Sequence, residues 1–151
     1  MKNYKLISHR GNIKGPNPNF ENSENYINNA LDLGYGVEID IWYMDGNIFL
    51  GHDAPQYKTN VEFIKKENIW IHCKNIKALF FCYDNNIKNN YFFHNIDNVT
   101  LTSNNFLWTY PGKDITCRSI AVLPEVVNAW DISKAAGVCT DYVEKHSNEI
   151  I

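Results

Sequence analysis

The chain has 151 residues, a mass of 17.5 kDa, a net charge of -3 and a pI near 5.9. At 44% hydrophobic and 14% aromatic residues it can bury a core, which excludes wholesale disorder. Its acidic balance offers no general basic surface for nucleic acid. It has no run of about 18 apolar residues, so the sequence predicts neither a transmembrane helix nor membrane insertion.

The opening residues, Met1 to Tyr4, lead into an apolar run too short and polar for a signal peptide. The four cysteines, Cys73, Cys82, Cys117 and Cys139, form no Cys-x-x-Cys pair and lie in or near apolar runs. They are expected to be buried free thiols of a reducing compartment, and the chain is expected to be cytoplasmic. Asparagines are scattered among periodic apolar residues, so they form no low-complexity tract. With no linker, charge block or repeat, residues 1–151 read as a single domain.

Tyr4 to Ser8 reads as a short buried strand ending at His9-Arg10-Gly11, followed by a polar loop from Asn12 to Phe20. Asn22 or Ser23 can cap the next helix, where Tyr26, Ile27, Ala30, Leu31 and Leu33 share a face; Gly34 and Gly36 stop it. Val37 to Tyr43 and Ile48 to Gly51 form strands joined by an Asp45-Gly46 hairpin turn. That hairpin brings Glu38 and Asp40 to the same end as His52 and Asp53. Further on, helices are predicted near Val61 to Glu67, Ile76 to Tyr83 and Val126 to Ala136. Strands are predicted at Ile69 to Lys74, Tyr91 to His94, Val99 to Thr102, Phe106 to Thr109, Ser119 to Leu123 and Val138 to Tyr142. This alternation predicts an α/β fold with a largely parallel sheet. Tyr91 to Pro111 has no room for helical crossovers, so it reads as a hairpin region or as strands with very short links.

Four polar clusters end apolar strands: His9-Arg10, Glu38-x-Asp40, His52-Asp53 and His72-x-Lys74. In parallel α/β folds such ends build active sites. Two carboxylates one residue apart on a strand share a face and suit a hard divalent cation. A guanidinium beside a histidine, as in His9-Arg10, suits a phosphate, and two imidazoles can exchange protons near neutral pH. Each cluster alone could be a solvated strand end or a turn. Together they describe phosphodiester chemistry.

The same residues resemble the glycerophosphodiester phosphodiesterase family. The likeness rests on Ser8-His9-Arg10-Gly11, Glu21-Asn22-Ser23, Gly36-Val37-Glu38-Ile39-Asp40, Asp45-Gly46, Leu50-Gly51-His52-Asp53 and Thr140-Asp141-Tyr142. It is dense over the first 53 residues and weak in the middle. The resemblance implies His9 and His52 as an acid/base pair, Glu38 and Asp40 as metal ligands, and Arg10 as the phosphate holder. Glu21 would organise the loop around Arg10, and Asp53 would support His52. The cofactor implied is a divalent cation, Mg or Ca first and Mn next.

Two departures stand out. The family usually places a third metal carboxylate two residues before a lysine; here Lys74, a second phosphate contact, follows His72. That imidazole either ligates the metal, holds a metal-bound water or marks a weakened site, and it suits softer ions. A (β/α)8 barrel also typically takes about 250 residues. The expectation is therefore a pared-down TIM-type barrel with several helices shortened or missing, mainly after the fourth strand. Apolar surface bared by their loss would favour a homodimer. The expected activity is metal-dependent hydrolysis of a small phosphodiester, with Trp108 and Tyr110 either lining the leaving-group side or belonging to the core. The alternatives are hydrolysis of lysophospholipid or sugar-phosphate linkages, or a non-catalytic phosphate-binding module.

Overall fold

A computed structural model describes residues 4–150. The first strand, β1 (Lys5–His9), is followed by α1 (Glu24–Asp32) and then by the hairpin of β2 (Gly36–Met44) and β3 (Asn47–Leu50). Next come β4 (Tyr57–Thr59), the one-turn α2 (Val61–Ile64), β5 (Ile69–Cys73) and α3 (Ile76–Asp84). The C-terminal half holds β6 (Asn90–Phe93), β7 (Val99–Leu101), β8 (Leu107–Thr109), β9 (Ser119–Val122), β10 (Gly137–Thr140) and α4 (Val143–Ile150).

These strands make one curled, mixed sheet of ten, and this corrects the expectation of a (β/α)8 TIM-type barrel. Parallel pairing runs β6-β5-β2-β1-β10-β9-β8, while β3, β4 and β7 pair antiparallel. Strand β2 branches the sheet: its first half pairs with β1 and β5, and its second half with β3. The ends of the curl meet without a ladder. Ser103 N–H donates to the Tyr91 carbonyl at 3.0 Å, and the Thr100 hydroxyl donates to the Phe93 carbonyl at 3.1 Å.

The physical reason is connections that are short or irregular. β7 and β8 form an antiparallel hairpin, which needs no crossover helix. No helix forms over 126–136. Only a 3-10 turn at Pro124–Val126 opens that link. Beyond it Ala129 is left-handed at φ 58°, and the Asp131 side chain accepts from Ser133 N–H at 3.0 Å, a local bond that competes with helix. Strand β4 and helix α4 were not expected: β4 has only three residues, and α4 is mostly polar.

Strand alternation divides the chain's apolar residues into two sets. Val37, Ile39 and Ile41 of β2 face outward and pack with Ile27 and Ala30 of α1 and with Ala78 and Cys82 of α3. The inner face carries Ile7, Trp70, Phe92, Trp108, Ile120, Val122 and Cys139 as a second cluster. Trp108 is therefore core, with its ring 4.6 Å from Phe92 and 5.9 Å from Trp70. Two residues further along the same strands, the inner face turns polar: His9 follows Ile7, His72 follows Trp70, His94 follows Phe92, and Tyr110 follows Trp108. The apolar layer is thus the floor of a polar cavity at the carboxyl ends of the strands.

Cys73, Cys82 and Cys139 are buried, but Cys117 is exposed because it lies in the irregular link between β8 and β9. No helix among the described residues is long and apolar enough to cross a membrane.

Candidate functional site

Strand β1 ends in a sharp reversal. Arg10 is left-handed at φ 55° and Gly11 at φ 91°, and a Cβ at Gly11 would lie 2.7 Å from the Tyr26 ring. The Arg10 N–H donates to the Glu38 carbonyl at 3.0 Å, and its carbonyl accepts from Asn22 N–H at 3.1 Å. The turn aims the Arg10 side chain back over β2. Its Nε lies 3.2 Å from Asp40 Oδ2, and its Nη1 donates to Glu21 Oε2 at 3.3 Å. Burial opposes the guanidinium charge, but Asp40, Glu38 and Glu21 outweigh it and raise its pKa.

The acidic pair sits on the inner face of β2. Glu38 and Asp40 are 2% and 0% exposed, so neither is the solvated face that such a pattern often marks. The register sets Asp40 beside His72 of β5. His72 Nδ1 lies 3.1 Å from Asp40 Oδ1 and 3.5 Å from Glu38 Oε1. Asp40 Oδ1, Glu38 Oε2 and His72 Nε2 have no hydrogen-bond partner among the described residues. Burial works against charge on His72, yet Asp40 and Glu38 push its pKa up to about 9. Burial alone would raise Asp40, but His72, Arg10 and Lys74 hold it well below the ordinary carboxylate range. Lys74 Nζ lies 3.6 Å from Asp40 Oδ1.

The two histidines expected to move protons reach the cavity by different routes. His9 Nδ1 pairs with Asp141 Oδ1 at 2.7 Å, and its Nε2 lies 4.0 Å from Glu38 Oε2. Burial lowers the His9 pKa, but Asp141 and Glu38 more than reverse this and raise it. Asp141 is correspondingly lowered by the His9 hydrogen bond against the pull of its own burial. His52 arrives from the hairpin. Asp45 and Gly46 are both left-handed, at φ 49° and 75°, as a tight two-residue turn requires. The ladder then places Gly51 N–H on the Asp40 carbonyl at 3.1 Å. His52 stands on the rim, 38% exposed, with Nδ1 2.7 Å from the outward-facing Asp53.

His9, Arg10, Glu38, His52, His72 and Lys74 line one cavity of about 530 Å³. Asp40 lies beneath it, Glu21 braces Arg10 from behind, and Asp53 backs His52 from outside. A larger hollow of about 870 Å³ opens at the opposite ends of the strands, but its lining gathers lysines and asparagines without a histidine. The titratable residues singled out from the sequence gather at the smaller cavity.

Asn12 and His94 escape motif reading, and so does the contact that Asn22 makes. Buried Asn12 donates to Glu21 Oε1 and to Asp141 Oδ1, both at 2.8 Å, and so ties the loop to β10. Asn22 holds Asp40. His94 lines the cavity and stacks on Tyr110 with ring centroids 3.7 Å apart, while burial and nearby His72 depress its pKa to about 4. Burial raises the Tyr110 hydroxyl pKa. Their common signal is a polar or aromatic residue two positions beyond an apolar inner residue on a strand, or an Asn in the loop after β1.

Glu38, Asp40 and His72 each offer a ligand atom within 4.8 Å of the others. Their unpartnered buried atoms fit a divalent cation, and the mixed oxygen and nitrogen set suits Mn at least as well as Mg or Ca. Comparison with protein-family models, curated proteins and solved structures finds no match for this chain.

Proposed function

We propose that the chain is a metal-dependent phosphodiester hydrolase acting in the cavity at the carboxyl ends of β1, β2 and β5. The observation that carries this reading is the meeting, in one cavity, of two carboxylate-backed histidines, two cations and a buried carboxylate pair. Glu38, Asp40 and His72 would hold a divalent cation, which supplies neutralisation of charge developing on the phosphoryl oxygens. Arg10 and Lys74 would take phosphate oxygens, the guanidinium by its fork and the ammonium as a point charge. His9, kept protonated by Asp141 and Glu38, would give its proton to the leaving alcohol. His52 would take a proton from the attacking water or from a neighbouring substrate hydroxyl.

A second reading has its own support. Arg10, His72 and Lys74 already surround Asp40 at ion-pair distance, so its carboxylate is compensated by the chain's own cations. That suits a non-catalytic module that binds a phosphate-bearing ligand.

Hydrolysis of bis-(p-nitrophenyl) phosphate and glycerophosphocholine with Mg, Ca, Mn or chelator distinguishes the two readings. Metal-dependent turnover lost in His9→Ala supports the hydrolase. Binding of glycerophosphocholine without turnover under any metal supports the module.

A further inference from the structure

Helix α3 buries one face against the sheet through Ala78 and Cys82, and Phe81 stacks on Tyr43 with ring centroids 4.6 Å apart. Its opposite face is unexpectedly apolar. Ile76, Phe80 and Tyr83, at i, i+4 and i+7, are 50%, 60% and 70% exposed. At 3.6 residues per turn these three share an arc with exposed Lys77 and Asp84 about 120° wide. The two charges lie on the same edge of the stripe, seven residues apart, with Phe80 near their midpoint.

We propose that this face of α3 is a dimer surface occupied by α3 of a second copy of the chain, packed antiparallel about a two-fold axis beside Phe80. A two-fold interface must be self-complementary, and this stripe is. Antiparallel pairing sets Lys77 at the height and edge of the partner's Asp84, and Asp84 against the partner's Lys77. It also lays Ile76 near the partner's Tyr83 and stacks the two Phe80 rings near the axis. A parallel pair would set like charges at the same height. From ordinary side-chain areas the three apolar residues offer roughly 300 Å² per chain. A standard interface buries about 800 Å² per partner, with an apolar centre and a polar rim. The stripe therefore supplies the centre, and Lys77, Asp84 and exposed Asn85 and Asn86 begin the rim.

Sedimentation equilibrium of the full chain from about 1 to 300 µM tests this, with a dimer expected to grow with concentration. Phe80→Glu should weaken it at least about tenfold, with an unchanged circular dichroism spectrum because the side chain is exposed. Lys77→Glu and Asp84→Lys alone should each weaken it roughly fivefold to thirtyfold, and the double exchange should restore it. Four outcomes overturn the proposal: a monomer throughout, a dimer indifferent to Phe80→Glu, single exchanges that leave it unweakened, or a double exchange no better than the singles. Should Phe80→Glu fail to fold, the charge-exchange set decides alone.

Discussion

Asn22 and Asp40 hold each other by two hydrogen bonds. The Asn22 amide donates to Asp40 Oδ2 at 2.9 Å, and its carbonyl oxygen accepts from the Asp40 backbone N–H at 3.0 Å. Asn22 makes them from a left-handed conformation, φ 63°, just before Ser23 opens α1. The residue that looks like a helix cap by spacing is thus a clamp on the buried acid. Ser23 occupies the cap position, and its hydroxyl donates to the Phe20 carbonyl instead.

Asn22→Ala removes both bonds and strains the left-handed backbone, while leaving a buried carboxylate less satisfied. The expected loss is about 2–4 kcal/mol. Urea unfolding measures it, and a loss below about 0.5 kcal/mol would contradict this role for the pair.

Asp141→Asn keeps the shape but removes the charge on His9 Nδ1. The His9 pKa should then fall, since Asp141 is the first of the groups that raise it. A ¹⁵N-detected imidazole titration reads this directly. An unmoved His9 would mean that Glu38 alone sets its charge.

Stability should fall as pH rises above neutrality. The folded pKa of His72, about 9, exceeds its ordinary 6.5, so the folded state binds more protons across that window. The His72 contribution is full below about 6.5 and lost as pH approaches 9, for a change of roughly 2–3 kcal/mol. His9 is shifted in the same direction, whereas Asp141 and Asp40 contribute above about 4 and lose their contribution in acid. Melting temperature from pH 6 to 9, with chelator present, should decline, and His72→Gln should flatten the slope. A flat wild-type curve would refute the charged His72.

Cation binding should have the opposite pH dependence. His72 must lose its proton to become a ligand, so Mn affinity should rise between pH 6.5 and 9. Calorimetry at several pH values checks this. Asp40→Asn should weaken binding by about tenfold or more, and affinity unchanged by that substitution would place any ion elsewhere.

His9→Ala and His52→Ala should each lower phosphodiester turnover by about two to four orders of magnitude. Turnover near wild type in either would remove that histidine from proton transfer. Both variants should stay folded: His52 stands on the rim, and truncating His9 leaves a cavity floored by the Ile7, Trp70 and Trp108 layer.

Much of the cavity was legible in the chain's order because its parts are local. Alternation on β2 puts Glu38 and Asp40 on one face, and the Asp45-Gly46 turn sends β3 back so that His52 returns to their end. Those are consequences of period two and of a two-residue turn, and they need no knowledge of the rest of the fold. The burial of that acidic face was not legible, because an outward acidic face alternates in the same way. The curl of the sheet decides it, by setting Trp70, Phe92 and Trp108 beneath the acids.

Local patterning by itself determined every strand but β4, the helices α1, α2 and α3, and the strand ends where the polar residues gather. Only the tertiary structure decided what those ends become. Hairpins bring in β3, β4 and β7 antiparallel, and no α-helix forms in the links between β6 and β10, so the sheet is mixed and not a (β/α)8 barrel. Asp141 and Asn12, 129 residues apart, meet because β1 and β10 pair in parallel, a contact no local period encodes. His72 becomes the counter-charge of Asp40 for the same reason: lateral register sets which residues face each other, and that register is fixed by packing on the whole sheet.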